Sequence, residues 1–585
     1  MQNVSSAYTR SMHSLLRNRG YIRVSFGIFD EAAQADARIV DTPNTYIYYS
    51  DDSEVFHNQP SDFVYATLEN HFFRVDGSQH FLPPRSSPQL YQNTGLISQA
   101  LVNNGNVFFE IRLSEARTWY GLTINFGDNF PTNFDILYGN STLQVRNNGS
   151  AVYVADMAFD DVDTIIIVFR SMRESSTRAR VYSIQFGVGY VFGNESVMDS
   201  SLNRQISPIS EFIPQFDFSV KLKNYDHYFD VDNPDSAINF LSENQKVSVQ
   251  YGYELDSGVI EWVPGQTLYC TEWESDNTSA TIRCCDILRN LDDEYPGGTY
   301  DPDGKTYAEL AETILAAAGI EDYYLDPVLS DISTKLPIPR ISYKEALQLI
   351  ANACCCILTF ARDGSVEIRK LNYNLPPAAF WMEKRDMKSY PKASKNDAVK
   401  DVVVEYQTWF KNGTETNLMS EEISVDADEE RTYYFNEPCY DYKVKIANTD
   451  VTSSVVTASG DYYLKIKFPS TATIALDIYG KRYSVVDRKY RHAVSDYGKT
   501  ITWRNPLVDN IATQAIPLSL WLGDYYESEI EYEYDTRGNP ELDVGDKIYQ
   551  FNEYMSNMWV LISEYTFNFR QSFSGHIVTR KIGGS

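Results

Sequence analysis

The sequence predicts a mainly β, multidomain protein with two β-barrel-like regions, a small α/β unit and an inserted β-sandwich of the jelly-roll type. The chain has 43 Tyr, 30 Phe and 8 Trp, and aromatic side chains favour half-buried pleated surfaces. Short segments of alternating polarity recur along most of its length. Two well-capped helices interrupt this pattern between Lys305 and Lys370. At roughly 150 residues per domain, the chain is expected to form about four domains.

Residues 1–59 predict an N-terminal helix and the first part of a β-domain. The apolar face of the helix is formed by Tyr8, Met12, Leu15 and Leu16. Gly20 is a helix stop, and the alternation over 21–29 predicts a strand directly after it.

Residues 60–190 predict a single inserted β-sandwich, because short strands at regular spacing are separated by Asn, Asp and Gly turns. The predicted strands are 107–113, 120–126, 134–138, 151–155, 164–169 and 180–186. The segment 165–169 is apolar on both faces and is expected to lie centrally. The stretches 121–126 and 180–187 resemble galactose-binding-like jelly rolls of the discoidin type.

Residues 191–300 return to strand and turn, and predict the remainder of the first β-domain. Pro264 and Gly265 predict a hairpin turn at 263–266, with 268–273 as its second arm. If the residues before Pro60 pair with this segment, the sandwich is an insertion in a loop of the β-domain, because its two ends would have to lie close together.

Residues 301–375 predict the small α/β unit. Thr306 to Glu309 has the form of a capping box for a helix at 307–318, which Gly319 ends. Ser342 to Glu345 repeats the device before a second helix at 346–354. Two strands, 357–360 and 366–368, are predicted to follow as a hairpin with a tight turn at 362–364.

Residues 376–585 alternate again and predict a second β-region. Its predicted strands are 400–406, 462–468, 474–478, 483–486, 526–534 and 560–569. One helix is predicted at 506–522, with a shared face formed by Ala512, Ile516, Leu520 and Trp521.

The formal net charge of -29 argues against stable, sequence-specific binding of nucleic acid and against adhesion to an anionic membrane, since both would repel the protein. The simplest interpretation is that acidity keeps an aromatic-rich protein soluble. A sharper hypothesis is that carboxylates line a channel through which DNA slides without sticking. No segment reads as a signal peptide or is long and apolar enough to cross a bilayer, so we expect no transmembrane segment and synthesis in a cytoplasm.

No catalytic residue, cofactor or metal site is predicted, and we expect no enzyme activity. The sequence lacks His-Glu-x-x-His, Gly-x-Ser-x-Gly and Walker motifs, and none of its seven histidines has a suitably spaced partner. The seven cysteines lack metal-ligand spacing and are interpreted as reduced, buried thiols. Asp301 and Asp303 look like a calcium loop, but Lys305 stands where a third oxygen ligand is needed, so a turn before a helix is expected.

The sandwich offers the best ligand hypothesis, which is carbohydrate binding. Exposed aromatic rings can stack on the apolar face of a sugar while polar side chains flank it. Trp119, Tyr138 and Arg173 lie at predicted strand ends or loops and are the candidate residues. The alternative is that these aromatic side chains belong to the core or its rim.

Three segments carry a resemblance to a known family: 258–264, the helix, loop, helix and hairpin of 305–370, and 538–548. In this order they resemble the baseplate hub or tail-associated proteins of bacteriophages that infect Gram-positive bacteria, and of related phage-like particles. The resemblance runs from about Ser207 to the C-terminus. It implies tail-tube-type β-regions and a structural role at the virion tail tip, or baseplate, of a protein made in the cytoplasm of the bacterial host.

The resemblance further implies a homotrimer whose two β-regions form a ring that joins the tail tube to the tip and adapts sixfold to threefold symmetry. The α/β unit would be a spacer. The implied partners are the distal tail protein ring, the tape-measure protein and tail-tip or fibre proteins, with host cell-wall polysaccharide as a further contact of the sandwich. Related proteins often carry a C-terminal lysin or fibre, whereas this chain stops at Ser585, so wall digestion is not expected. The open alternatives are a carbohydrate-active enzyme and a free-standing receptor-binding protein with a discoidin-like module.

Overall fold

The computed structural model of the chain describes residues 1–40, 47–48, 55–56, 65–67, 69, 73, 80–81, 95–102, 107–127, 129–225, 227, 229–230, 245–258, 260–373, 380–555 and 558–582. Strands dominate these residues and belong to several sheets, so the predicted mainly β, multidomain fold class is confirmed. None of the described helices is long and apolar enough to span a bilayer.

The N-terminal part leads from a short helix into the first long strand. It comprises α1 (Ser6–Met12), β1 (Gly20–Phe29) and α2 (Glu31–Asp36). Tyr8 and Met12 are buried as predicted, but Leu15 and Leu16 are 78% and 89% exposed. The predicted apolar face is wrong in its second half because α1 already ends at Met12, well before Gly20.

The sandwich is built on two packed sheets, and a further pair of described strands forms a small sheet of its own. Its strands are β2 (Arg38–Ile39), β3 (Ile47–Tyr48), β4 (Tyr65–Ala66), β5 (His80–Phe81), β6 (Leu96–Leu101), β7 (Val107–Asn125), β8 (Pro131–Tyr138), β9 (Ser141–Arg146), β10 (Val152–Met172), β11 (Arg178–Val181) and β12 (Ser183–Gln185). One sheet has the order β12-β7-β10-β8-β9, with β2 also paired to β7, and the other has the order β11-β6-β3. Their buried side chains form a core of their own.

The sandwich leaves the rest of the fold and returns to it at neighbouring strands. The next strand, β13 (Gly187–Phe192), pairs antiparallel with β1, and Phe29 lies opposite Gly187. The described residues between 30 and 186 therefore leave the rest of the fold and return to it at one strand pair. Ala33 and Ala37 already belong to the sandwich core, ahead of the predicted boundary at residue 60.

The chain then forms the strands that follow the sandwich. They are β14 (Val197–Gln205), β15 (Gln215–Lys223), β16 (Lys246–Glu254), β17 (Ile260–Ser275) and β18 (Ser279–Cys285), followed by a 3-10 turn at Ile287–Asn290. The hairpin turn predicted at 263–266 is wrong, because β17 runs through it. Gly265 forms a bulge there, with Pro264 opposite Gln250 and Gln266 opposite Val249.

The α/β unit follows the predicted order. Its elements are β19 (Glu294–Tyr295), β20 (Lys305–Thr306), α3 (Tyr307–Ala317), β21 (Tyr323–Leu325), α4 (Val328–Asp331), β22 (Ser333–Thr334), β23 (Ile341–Ser342), α5 (Tyr343–Ala353), β24 (Cys356–Phe360) and β25 (Val366–Lys370). Both capping boxes form, from Thr306 with Glu309 and from Ser342 with Glu345. Gly319 has a φ of 71°, which permits the helix stop.

The last part of the chain contains a second, smaller β-unit that the sequence did not predict. After β26 (Trp381–Met382), a 3-10 turn (Lys384–Asp386), β27 (Lys392–Lys395) and β28 (Val399–Phe410), this unit comprises β29 (Glu415–Val425), β30 (Glu430–Tyr434), β31 (Cys439–Ile446), β32 (Thr449–Asp450), α6 (Thr452–Val455), β33 (Val456–Ser459), β34 (Tyr463–Lys467) and β35 (Ala472–Arg482). Its two sheets have the orders β29-β35-β31-β32 and β30-β34-β33. We call residues 411–483 the second unit.

The second unit is also attached between neighbouring strands. It is followed by β36 (Ser484–Ala493), β37 (Lys499–Arg504), a π-helical turn (Ile511–Ala515), α7 (Ile516–Tyr526), β38 (Ile530–Thr536), β39 (Lys547–Gln550), β40 (Met558–Phe569) and β41 (Phe573–Lys581). β28 pairs antiparallel with β36, and Phe410 lies opposite Ser484. The second unit therefore leaves and re-enters between two paired strands, as the sandwich does.

The helix predicted at 506–522 begins later and buries a different face. Its buried side chains include Ala515, Leu518, Trp521 and Leu522, whereas Leu520 is 45% exposed. The π-helical turn before α7 inserts extra residues into the turn, which rotates the following residues away from a simple 3.6-residue period.

One sheet of 13 described strands joins the regions before and after the α/β unit, and we call it the body sheet. Its strand order is β13-β1-β16-β17-β18-β15-β14-β40-β41-β38-β27, and β39 connects β40 with β26. The connection between the two regions is the pairing of β14 with β40, from Ser200 opposite Phe569 to Gln205 opposite Glu564. A single apolar core extends from this sheet into the α/β unit.

Candidate functional site

The loop at 538–548 forms a buried junction at which distant parts of the chain meet. Arg204, on β14, is 1% exposed and donates from Nη1 to Asp543 Oδ1 (2.8 Å) and from Nη2 to the Leu542 carbonyl (3.1 Å). Arg362, in the turn between β24 and β25, donates from Nε to the other carboxylate oxygen of Asp543 (2.7 Å). One carboxylate thus bridges the body sheet and the α/β unit.

Arg362 also binds the backbone of two other segments. Its guanidinium donates to the carbonyls of Leu542 (2.8 Å) and Pro540 (3.0 Å) in the junction loop. It also donates to the carbonyl of Pro264, beside the bulge of β17. A single side chain therefore connects 258–264, the α/β unit and 538–548.

The electrostatics of the junction keep Asp543 ionised. Burial raises the pKa of Asp543, but the charges of Arg204 and Arg362 outweigh burial and lower the pKa to about 2. Burial lowers the pKa of Arg204, and Asp543 opposes that shift. Buried groups that neutralise each other in this way hold segments together and leave no free acid or base for catalysis.

The N-terminal segment seals the other side of the junction loop. Arg17 donates to the carbonyls of Arg537 (2.8 Å) and Gly538 (2.6 Å). The Asn539 N–H donates to the Tyr565 hydroxyl (2.8 Å), which donates in turn to the Asn539 carbonyl (3.0 Å). The loop backbone is thereby satisfied from β40 and from the start of the chain.

The structure brings two of the three candidate carbohydrate-binding residues together. Trp119 and Tyr138 both contact Phe159, with ring centroids 5.2 Å and 4.9 Å from it. Arg173 lies over the ring of Phe130, with its guanidinium carbon 5.4 Å from the centroid. Phe130 precedes β8 and Tyr138 ends it, so Arg173 is separated from the other two by the length of a strand, about 25 Å.

Trp119 does not have the exposed position that the sequence predicted. It lies inside the long strand β7 and is 4% exposed, because Phe159 stacks on one face and Phe186 packs against the ring. Its neighbour Tyr120 points to the other face of the strand and is 52% exposed. The alternation of buried and exposed residues around 119–120 separates the two, although it does not continue along the whole of β7. The carbohydrate-binding role of Trp119, Tyr138 and Arg173 stays a prediction.

A second contact region joins the second unit to the α/β unit. Asp461 is 3% exposed and accepts from the Tyr300 N–H (2.6 Å) and the Tyr483 hydroxyl (3.0 Å). Lys411 Nζ lies 5.4–6.0 Å from the ring centroids of Tyr300, Tyr440 and Tyr483. Burial raises the pKa of Asp461. We call this the aromatic contact.

A cavity of about 390 Å³ opens beside the aromatic contact. Tyr300 and Trp409 line it together with carboxylates from Asp303 and Asp509. Gly304 closes the 301–304 turn next to this cavity with a φ of 85°, as expected for a turn before a helix. Among the described residues, no group of three or more His, Cys, Asp or Glu side chains is arranged to hold a metal ion.

Solved structures of tail proteins align with parts of this chain. The 43 kDa tail protein of prophage MuSo2 from Shewanella oneidensis aligns with 12% identity and a TM-score of 0.35, over 76% of this chain and 97% of that chain. A tail protein from Neisseria meningitidis MC58 aligns with 10% identity and a TM-score of 0.37, over 67% and 93%. The prophage tail protein gp18 from Listeria monocytogenes EGD-e aligns with 10% identity and a TM-score of 0.35, over 67% and 91%. No protein-family model and no curated protein matches the chain.

Proposed function

We propose that this chain is a structural hub protein at the baseplate, the tip of a phage tail or of a related phage-like particle. The observation that carries the proposal is the convergence of the three resemblance segments on Arg362. That residue belongs to the α/β unit and binds the carbonyl of Pro264 and the carbonyls of Pro540 and Leu542. Three segments that were recognised from the sequence and its order thus meet at one side chain. This supports their interpretation as one signature.

The proposed role is mechanical and not enzymatic. Asp543 is held between two guanidinium groups, and the backbone around it is hydrogen-bonded on several sides. Such a junction keeps two β-regions and the α/β unit at fixed positions, as a ring subunit requires. The α/β unit shares its core with the body sheet, which supports its assignment as a spacer.

The proposed assembly is a homotrimer. Each protomer would present its two β-regions to a ring that joins the tail tube to the tip and adapts sixfold to threefold symmetry. Its partners would be the distal tail protein ring, the tape-measure protein and tail-tip or fibre proteins, assembled in the cytoplasm of the bacterial host. The continuous body sheet supports this arrangement, because the pairing of β14 with β40 joins both β-regions of a protomer.

The mass of the protein with and without the distal tail protein tests this proposal. We expect light scattering to give three times 66.9 kDa for the chain alone or, if the trimer forms only on the distal tail protein, a larger complex that contains three copies of the chain. A chain that stays monomeric and fails to bind the distal tail protein would overturn the hub role, and cleavage of a cell-wall glycan by that monomer would favour the carbohydrate-active enzyme.

The sandwich is the proposed contact with host cell-wall polysaccharide. Tyr138 is half-buried at the end of β8 and Arg173 is exposed, so both can reach a ligand at the surface. Retention of the protein on purified cell-wall polysaccharide should fall for Tyr138→Ala or Arg173→Ala, and stay unchanged for Tyr434→Ala, whose ring is 47% exposed on the second unit. Trp119→Ala is unsuitable, because removing a buried aromatic ring costs about 3–5 kcal/mol of stability. Equal retention of all variants would remove these residues from the glycan contact, and retention without tail partners would favour a free-standing receptor-binding protein.

A further inference from the structure

Two of the cysteines face each other across the body sheet. Cys270 on β17 lies directly opposite Cys284 on β18. Each is 2% exposed, and both side chains enter the main core. All seven cysteines lie in the described part of the chain and are present as free thiols.

The backbone hydrogen bond of Cys270 shows whether the two cysteines form a hydrogen-bonded or a non-hydrogen-bonded antiparallel pair. The Cys270 N–H donates to the Gln245 carbonyl (2.9 Å), on the side of β16. Because the N–H and C=O of one strand residue point to the same side, Cys270 makes no ladder hydrogen bonds to β18. Cys270 and Cys284 therefore form a non-hydrogen-bonded antiparallel pair, in which the Cα atoms are about 4.5 Å apart and the side chains are closest.

That geometry falls within the range of a disulfide. Bridged cysteines have Cα atoms about 4.4–6.8 Å apart, with both Cβ atoms on the same side. The proximity of the two thiols lowers the pKa of Cys270 and, together with burial, raises the pKa of Cys284. Cys270 is thus the better nucleophile of the two.

The remaining cysteines are not placed for such a bond. Cys285 follows Cys284 on the opposite face of β18 and lies opposite Tyr269. The cysteines 354–356 are consecutive, and the first and last of them point into the core of the α/β unit. Cys439 lies opposite Arg482 in the second unit.

We propose that Cys270 and Cys284 are an oxidation site that closes a cross-strand disulfide once the protein leaves a reducing cytoplasm. The oxidant is a small-molecule disulfide such as oxidised glutathione. The Cys270 thiolate attacks one of its sulfur atoms, which forms a mixed disulfide and releases one thiol. Cys284 then gives up its proton and its sulfur attacks the sulfur of Cys270, which closes the bond and releases the second thiol. Two electrons pass to the oxidant, and the two cysteines lose two protons.

The bond would link β17 covalently to β18, next to the register shift between Cys270 and Glu272. Because both sulfur atoms are buried, oxidation needs a local opening of these strands and is therefore slow in the folded protein. The same burial protects the closed bond from reductants. In the released particle the two strands would be covalently linked. During assembly they would still be held together by noncovalent contacts.

Non-reducing peptide mapping of the full-length protein tests the proposal. After incubation with oxidised glutathione, free thiols are blocked and the protein is digested with trypsin. We expect residues 247–283 to be joined to residues 284–289, with the loss of two hydrogen atoms, and a melting temperature several degrees above that of the protein kept reduced throughout. Fragmentation of the linked peptide assigns the bond to Cys284 or Cys285.

Variants separate this bond from nonspecific oxidation. Cys285→Ser should keep the linked peptide, because that side chain faces away from Cys270. In Cys284→Ser, oxidation should stop at a glutathione adduct on Cys270. Cys439→Ser is the control for the loss of an unrelated buried thiol. Two free thiols at Cys270 and Cys284 in the oxidised wild-type protein, or a bond between other cysteines, would overturn the proposal, and the wild-type measurement stands even if a variant fails to fold.

Discussion

The sandwich and the second unit are attached in the same way but supported differently. Each leaves the fold from one strand and returns on an antiparallel neighbour, at Phe29 opposite Gly187 and at Phe410 opposite Ser484. The sandwich contains a core of 28 buried hydrophobic residues among those described, whereas the core of the second unit has ten. A β-unit with so small a core gains little stability from its own burial.

The second unit compensates for its small core through contacts with other parts of the protein. Asp461 and the tyrosines around Lys411 connect it to the start of the α/β unit at Tyr300. In the sandwich, by contrast, the aromatic contacts of Trp119 and Phe159 stay within its own sheets. This comparison indicates that the size of its core, and not the mode of insertion, decides whether an inserted unit needs contacts with the body for its stability.

The largest effect is expected at the junction of the body. Asp543→Asn leaves Arg204 and Arg362 buried without a counterion, which should cost about 3–5 kcal/mol of stability. Hydrogen exchange should then accelerate in the body sheet and in the second unit together, while the strands of the sandwich keep their protection. Asp397→Asn is the matched control, since that carboxylate is 78% exposed.

The pH dependence gives this prediction a second readout. The pKa of Asp543 in the folded state is about 2, below the ordinary value near 3.9. Its contribution to the stability of the folded protein is therefore present above pH 4 and is lost as the pH falls towards 2. Asp543→Asn should lose that acid-dependent component. Equal loss of protection in the sandwich would contradict its independence from the body.

Matched core substitutions compare the two units directly. Ile167 in the sandwich and Ile466 in the second unit are both fully buried. Each change to Ala should lower the free energy of unfolding by about 2–5 kcal/mol. We expect Ile466→Ala to expose 411–483 to proteolysis as one piece, and Ile167→Ala to leave the larger sandwich folded but more easily melted. Similar resistance of both variants would show that core size does not separate the units.

The sequence predicted those elements that carry their own local signals. The two capping boxes and Gly319 define the α/β unit without help from the rest of the fold. The predicted hairpin at Pro264 and Gly265 failed because the same residues also suit a bulge, and only pairing with β16 distinguishes the two.

The junction and the second unit could not be predicted in the same way. Arg204 and Asp543 are far apart in the sequence, and an isolated arginine in an alternating strand gives no sign of a distant carboxylate. The strands of the second unit were partly recognised, but its separation from β28 and β36 depends on long-range pairing. The Cys270 pair was missed for the same reason, because its contact comes from strand register and not from spacing.

Asp461 should respond to pH in the opposite direction to Asp543. Burial raises the pKa of Asp461, so its stabilising contribution is complete at low pH and is lost as the pH rises through the raised pKa. Exchange at Tyr300 and Tyr483 should therefore slow as the pH is lowered through this raised pKa, after correction for the intrinsic exchange rate. Asp461→Asn should remove this pH dependence and change stability at pH 7 by no more than about 1 kcal/mol, because an amide can accept from Tyr300 and donate to the Tyr483 oxygen. A pH dependence that survives in Asp461→Asn would assign it to another group.

The smallest effect is expected at Lys411. Lys411→Met keeps most of the apolar stem and removes the charge above three tyrosine rings, which should weaken the aromatic contact by about 0.5–1 kcal/mol. Lys445→Met is the matched control, because Lys445 lies 4.4 Å from the ring centroid of Tyr479 inside the second unit itself. Hydrogen exchange around Tyr300 should rise only for Lys411→Met. If both variants changed it equally, the charge above the rings would stabilise the second unit as a whole, and Lys411 would have no specific part in its attachment to the α/β unit.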